Sequence, residues 1–195
     1  MIVLPRFPRP NRPTVEMLDF GLIQRGAASL RVERPGSRHR MAFTWPREVM
    51  RPETAARFLS RLKRGKRQGV QIDVLLPQEQ GSPGLPVVDG AGQSGTSIAV
   101  RNLTPGYTAK QDYWLTLVEA DGTAYLHSVF ETVRASNTGT ATIQIEPPLR
   151  APFPDGARVE LSRPFVQGDL VGESFSYSYE DLRQVPLSIV IEERK

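Results

Sequence analysis

The sequence predicts a mostly β protein, a β-sandwich or barrel-like domain carrying one amphipathic helix. Three observations lead there. Short alternating apolar segments recur along the chain, separated by Gly, Pro, Asn and Asp turn signals. A single stretch, about residues 52–64, carries helical periodicity. One long Pro/Gly-rich excursion, about residues 77–97, holds too many breakers for a regular element. At 195 residues, with 39% hydrophobic and 24% charged side chains, the chain can bury a core without cross-links.

The first thirteen residues, MIVLPRFPRPNRP, contain Pro5, Pro8, Pro10 and Pro13. They read as an extended arm close to polyproline II, with no backbone partners of its own. Residues 14–195 are then expected to form one β-rich domain. Residues 28–33 (ASLRVE) alternate, and 40–45 (RMAFTW) alternate more strongly, with Met41, Phe43 and Trp45 on one face. Pro46 ends that strand because proline cannot donate to a ladder. In RPETAARFLSRLKRG, Pro52 suits the first helical turn and Glu53 the positive end of the dipole. Ala55, Phe58, Leu59 and Leu62 recur at i, i+3, i+4 and i+7, one apolar stripe. Lys63 and Arg64 occupy the expected last turn, and Gly65 is the expected stop. Arg57, Arg61 and Arg64 lie on the opposite face.

Beyond the helix, VQIDVLL alternates again, with Val70, Ile72, Val74 and Leu76 inward. The excursion at 77–97 has room for a short strand at 85–88. Everything after it reads as β. SIAVRNL is a strand, and YWLTLVEADGTAYLHSVFETV is two strands around Asp121-Gly122. TATIQIE follows a turn at Asn137, Thr138 and Gly139, and RVELSRP follows Asp155-Gly156. Phe175, Tyr177 and Tyr179 alternate, and PLSIVIEE closes the pattern with Leu187, Ile189 and Ile191.

Composition removes some chemistry. No cysteine is present, which excludes disulfides, thiolate catalysis and cysteine zinc sites and fits a protein made in a reducing cytoplasm. Arginines and prolines interrupt the N-terminus where a signal peptide needs an apolar run, and no apolar run is long enough to span a membrane. Net charge is +4 but uneven: residues 1–70 hold 16 Lys+Arg against 5 Asp+Glu (+11), and residues 71–195 hold 9 against 16 (−7). Such a split points to an anionic partner for the first part or to head-to-tail contact between copies. The densest cluster, KRGKRQG, includes Lys66 and Arg67. It lacks interleaved aromatics, and dipole-complementary cations at a helix end account for it.

DGAGQSGTS, residues 89–97, invites a catalytic reading and does not sustain one. Gly90 and Gly95 have phosphate-loop spacing, but Thr96 stands where the lysine is required and a strand follows, not a helix. Gly92 and Ser94 begin a nucleophile elbow, but Thr96 replaces its second glycine. The glycines serve instead to turn a loop sharply or to let another chain pass close by. His39 and His127 both sit in strand patterns, and no metal-ligand motif occurs. The expected protein is therefore not an enzyme and needs no metal or cofactor. The candidate subunit-interface residues are Arg57, Arg61, Lys63, Arg64, Lys66 and Arg67 on the helix, with Asp89, Gly92 and Gly95 on the loop. Tyr107, Tyr113, Trp114 and the Phe175/Tyr177/Tyr179 stripe leave open an alternative, a non-catalytic β-sandwich binding sugar or peptide.

One stretch carries a resemblance. Thr140 to Ile145 (TATIQI), Pro147-Pro148-Leu149-Arg150, the Asp155-Gly156 turn and a short strand ending in Pro164 form one run. Upstream stand FTWP (Phe43 to Pro46), AARFLSRL (Ala55 to Leu62) and GLPVVDGAGQSGTSIAVRNLTPG. Over about residues 42–164 the chain resembles minor tail proteins of long-tailed bacteriophages, of the distal tail or tail-hub type. The resemblance implies a structural virion protein at the tail tip, made in the host cytoplasm. It implies a hexameric ring that joins the tail tube protein to hub and baseplate proteins. The basic residues leave two uses open: contacts between subunits, or a lumen that tolerates DNA passing without specific contact. Many such proteins add a C-terminal sugar-binding domain, and only about thirty residues follow Pro164, too few for one.

Overall fold

A computed structural model describes residues 1–20, 22–24, 30–32, 36–46, 50–76, 78–173, 177 and 186–194. In chain order the elements begin with strands β1 (Ile2–Val3), β2 (Asn11–Leu18), β3 (Leu22–Gln24), β4 (Leu30–Val32) and β5 (Arg38–Trp45), then helix α1 (Pro52–Gln68). Next come β6 (Val70–Asp73), β7 (Gly84–Val88), β8 (Ser97–Leu103), β9 (Thr108–Ala109), β10 (Trp114–Val118) and β11 (Ala124–Val129). The last are β12 (Val133–Arg134), β13 (Ala141–Glu146), β14 (Arg158–Glu160), β15 (Phe165–Leu170) and β16 (Leu187–Glu193). The protein is mostly β with one helix, as the sequence predicts. Its contacts divide into two compact units: residues 1–16, 39–75 and 165–194, and residues 17–38 and 76–164.

The first unit is a six-stranded sheet in the order β1-β6-β15-β16-β5-β2. The alternation read in 40–45 has a direct consequence in the register. Trp45, Phe43 and Met41 stand opposite Leu187, Ile189 and Ile191, all six buried, while Thr44 stands opposite Ser188 on the other face. The helix lays Ala55, Phe58, Leu59 and Leu62 into the core, with the Phe58 ring 5.1 Å from that of Trp45. Phe58, Leu59 and Leu62 each contribute about 1.5–3 kcal/mol by leaving water, and Ala55 less. Glu193 is also buried on the inward side, where its carboxylate accepts the His39 backbone N–H at 2.7 Å.

Two expectations are corrected here. The arm is not without backbone partners: β1 runs parallel to β6, and Ile2 and Leu4 donate to Gly69 and Gln71 carbonyls. The pairing joins residues almost seventy positions apart, which no local pattern announces. The helix does not stop at Gly65. It runs to Gln68 and closes at Gly69, whose φ of 78° suits glycine. Gly65 is instead a packing position, since a Cβ there would strike the Val70 side chain. The sequence reading passes over β15, a central strand with no alternating signature, because Phe165, Val166, Gln167 and Gly168 are all buried. The stripe 175–179 lies outside the described residues apart from Tyr177, and of 28–33 only Leu30–Val32 is described, paired with β3.

The second unit is built on a closed barrel, β10-β11-β13-β8-β7-β14. The hairpin around Asp121-Gly122 forms as predicted, with Leu115, Leu117, Tyr125 and His127 in register across β10 and β11. The strand expected at 85–88 is real and forms part of the barrel wall, paired with β8 and β14. Side chains including Val88, Ile98, Val100, Leu115, Ile143 and Phe153 fill the interior, so this is a packed core and not a pore. Gln80 closes one seam. Its amide nitrogen donates to the carbonyls of Trp114 (2.7 Å) and Leu161 (2.6 Å), and its oxygen accepts the Trp114 N–H at 2.6 Å.

Candidate assembly interface

Helix α1 presents a cationic face because its two sequence periodicities are out of phase. The apolar stripe binds the helix to the sheet, and Arg57, Arg61, Arg64 and Arg67 recur at i, i+4, i+7 and i+10 on the exposed side. Arg61 donates to the Val3 carbonyl, and Arg64 to the Gln68 side chain at 3.2 Å. Among the described residues none of these four guanidinium groups has a carboxylate partner. Arginines elsewhere do: Arg40 with Glu192 and Glu16, Arg194 with Asp169, and Arg101 with Asp89 and Asp155. Lys63 is exposed, its ammonium 5.2 Å from the centre of the Tyr177 ring. Lys66 is half-buried and donates to the Leu170 (3.1 Å) and Gly172 carbonyls, so it serves the fold of its own unit.

The same sheet ends in β2, an eight-residue edge strand exposed on both faces, with Val15 43% and Met17 50% accessible. Pro13 and Glu16 blunt this edge only in part. The opposite edge is closed more fully, because Arg61 takes the outward Val3 carbonyl.

The loop DGAGQSGTS caps the barrel through a charge clamp. Arg101 sits between Asp89 (2.9 Å) and Asp155, while Gly90 N–H donates to Asp155 at 2.8 Å. The Arg101 guanidinium, and next the Gly90 amide, hold the Asp155 carboxyl down to about 2. The two carboxylates raise Arg101 in turn. Gln93 bonds Asp89, Gly90 and Ala99 backbone groups, pinning the turn from inside. Gly92 and Gly95 have φ of 72° and 87° with open space where a Cβ would go. Their backbone needs glycine, whereas no neighbour in the chain does. Ser94 is exposed in this loop. His127 is buried in the barrel wall with Nδ1 2.7 Å from the Pro147 carbonyl, and His39 belongs to the other unit.

A depressed carboxyl contributes stability above its unfolded value, about 3.9, and loses it as pH falls through the folded value. The clamp should therefore persist to about pH 2. Carboxyl NMR titration of Asp155 is expected to show that midpoint, with Gly90 amide exchange accelerating across it. A midpoint near 4 would remove the clamp.

Two of the aromatic residues that left a binding module open, Tyr107 and Tyr113, are occupied inside the fold. Tyr113 is buried and its hydroxyl donates to the Glu79 carbonyl at 3.3 Å; Tyr107 donates to the Gln80 carbonyl at 2.8 Å, and burial pushes its hydroxyl up to about 12. Among the exposed apolar groups that sequence reasoning missed are two on or beside the barrel strands, Leu85 at 87% and Phe130 at 50% accessible. Leu85 sits at a register shift in β7, and Phe130 follows β11 directly, so neither breaks an alternating pattern. Among the described residues no group of three or more His, Asp or Glu is placed to hold a metal ion. No described helix is long and apolar enough to cross a membrane. No protein-family model matches the chain, and no curated protein matches it in sequence.

Proposed function

We propose that this chain is a structural subunit of a bacteriophage tail tip, self-assembling into a hexameric ring between the tail tube and the hub or baseplate. The observation that carries self-association is the β2 edge. An eight-residue strand that ends the sheet, with no strand beyond it among the described residues and with accessible Val15 and Met17, is a template for another chain. The resemblance to minor tail proteins supplies the setting: residues of the tail tube and hub as neighbours, DNA passing through the lumen, and the virion as location. The cationic helix face adds a surface that a like-charged copy would repel and an acidic surface would attract.

Light scattering on the purified protein tests this. The expected mass is six times 21.7 kDa at low salt, falling as salt rises. Val15→Lys with Met17→Lys should weaken association at least ~10-fold by placing charge on the edge. A monomer at every salt and protein concentration overturns self-assembly.

A further inference from the structure

We infer that the cationic face of α1 docks on the acidic, Phe130-tipped end of the barrel in a second copy of this chain. This rests on the self-assembly proposed above and specifies one of its contacts.

The donor surface is narrow and directional. From Arg57 to Arg67 the stripe runs about 15 Å at 1.5 Å per residue. Its groups are arginines, whose planar forks suit carboxylates bidentately and stack on aromatic faces. All are exposed without carboxylate partners among the described residues, whereas Arg40, Arg101 and Arg194 are each paired with acids.

The acceptor lies in the acidic part of the same sequence. Glu131 follows β11, and Asp112 precedes β10 in the turn beside it. Asp112 N–H donates to the Val129 carbonyl at 2.8 Å, and Gln111 N–H to the Thr132 hydroxyl at 3.0 Å. Glu79 is brought alongside by the Tyr113 hydroxyl on its carbonyl. All three carboxylates are exposed and have no ion pair among the described residues. Lys110 shares the turn and Arg134 lies on the neighbouring β12, so the carboxylates outnumber the cations three to two. Phe130, half-accessible, precedes Glu131 in the chain and follows Val129, whose carbonyl takes the Asp112 N–H. An arginine stripe complements that combination in both respects, by ion pairing and by stacking. Duplex DNA would satisfy the cations and leave Phe130 and the carboxylates unexplained. Each copy carries one patch of each kind, which is what repeated head-to-tail contact requires.

A charge swap tests the contact. One variant carries Arg57→Glu with Arg64→Glu, sparing Arg61, which ties down β1. The other carries Glu79→Lys with Glu131→Lys, sparing Asp112, whose φ of 63° tolerates lysine poorly. Circular dichroism confirms folding, and light scattering reads mass at about 50 mM salt, where surface charge is least screened. Each variant alone should associate at least ~10-fold more weakly than wild type, and their equimolar mixture should recover the wild-type mass. Recovery is expected because opposite patches alternate around an even-numbered ring. A wild-type assembly that neither variant disturbs overturns this contact and leaves self-assembly standing. So does a mixture that stays dissociated. Loss of duplex DNA binding by the helix variant with its mass unchanged assigns the face to nucleic acid and overturns the contact. A wild-type protein that never associates removes self-assembly itself, and the contact with it.

Discussion

Gly168→Ala is expected to destabilise the first unit by about 3 kcal/mol, at the upper end of overpacking costs. The added methyl has nowhere to go. Gly168 stands opposite Glu193 on one side and Val70 on the other, in a strand held on both edges. A Cβ there would overlap the Glu192 carbonyl and lie 2.9 Å from the Glu193 Cα. These are backbone atoms of a paired strand, so relief requires β15 and β16 to separate and their ladder to weaken. Gly92→Ala is the control. Its φ of 72° imposes a left-handed cost of about 1–2 kcal/mol, but nothing lies within 4 Å of the new methyl. Urea unfolding should therefore show the larger midpoint shift for Gly168→Ala. Equal shifts would mean that the strands move apart freely, against the close packing described.

Gly168 also shows where the sequence stops being legible. Alternation found the strands with one wet face: β5, β13 and β16 present apolar and polar positions by turns. It could not find β15, where Phe165, Val166, Gln167 and Gly168 are all buried and the periodic contrast is gone. Gly65 reads as the helix stop but is fixed by packing under Val70, while the true stop, Gly69, is set by a positive φ that spacing does not show. The cationic helix face was readable, since helical spacing alone sorts Arg57, Arg61 and Arg64 from the apolar stripe. That Lys66 turns back to the carbonyls of Leu170 and Gly172 was not, since those partners lie about a hundred residues away. The loop at Asp89 followed the same rule. Its glycines predicted a turn, whereas its anchors, Arg101 and Asp155, are set by barrel closure.

The second large effect is expected at Gln80, a residue with no pattern to mark it. It is 3% exposed, and its side-chain amide works as a short piece of strand. Two donors on one nitrogen satisfy the Trp114 and Leu161 carbonyls, and the oxygen receives Trp114 N–H. Gln80→Glu keeps the shape and reverses the chemistry. At neutral pH a carboxylate oxygen would face two carbonyl oxygens in a buried seam, with only the Trp114 N–H in its favour. Unsatisfied buried acceptors cost about 1–3 kcal/mol each, and a buried unpaired charge more, so a loss of about 3–5 kcal/mol is expected. The sign of its pH dependence separates this account from simple loss of packing. Burial against carbonyls raises the folded pKa of the introduced carboxyl above its unfolded value near 4.3. The protonated acid regains one donor, so the deficit relative to wild type is smallest below that value and grows as pH rises to the folded pKa. Unfolding of the two proteins compared between pH 4 and 8 should show the gap widening. A gap independent of pH would mean that water already reaches the seam and that Gln80 is not the barrel's closing pair.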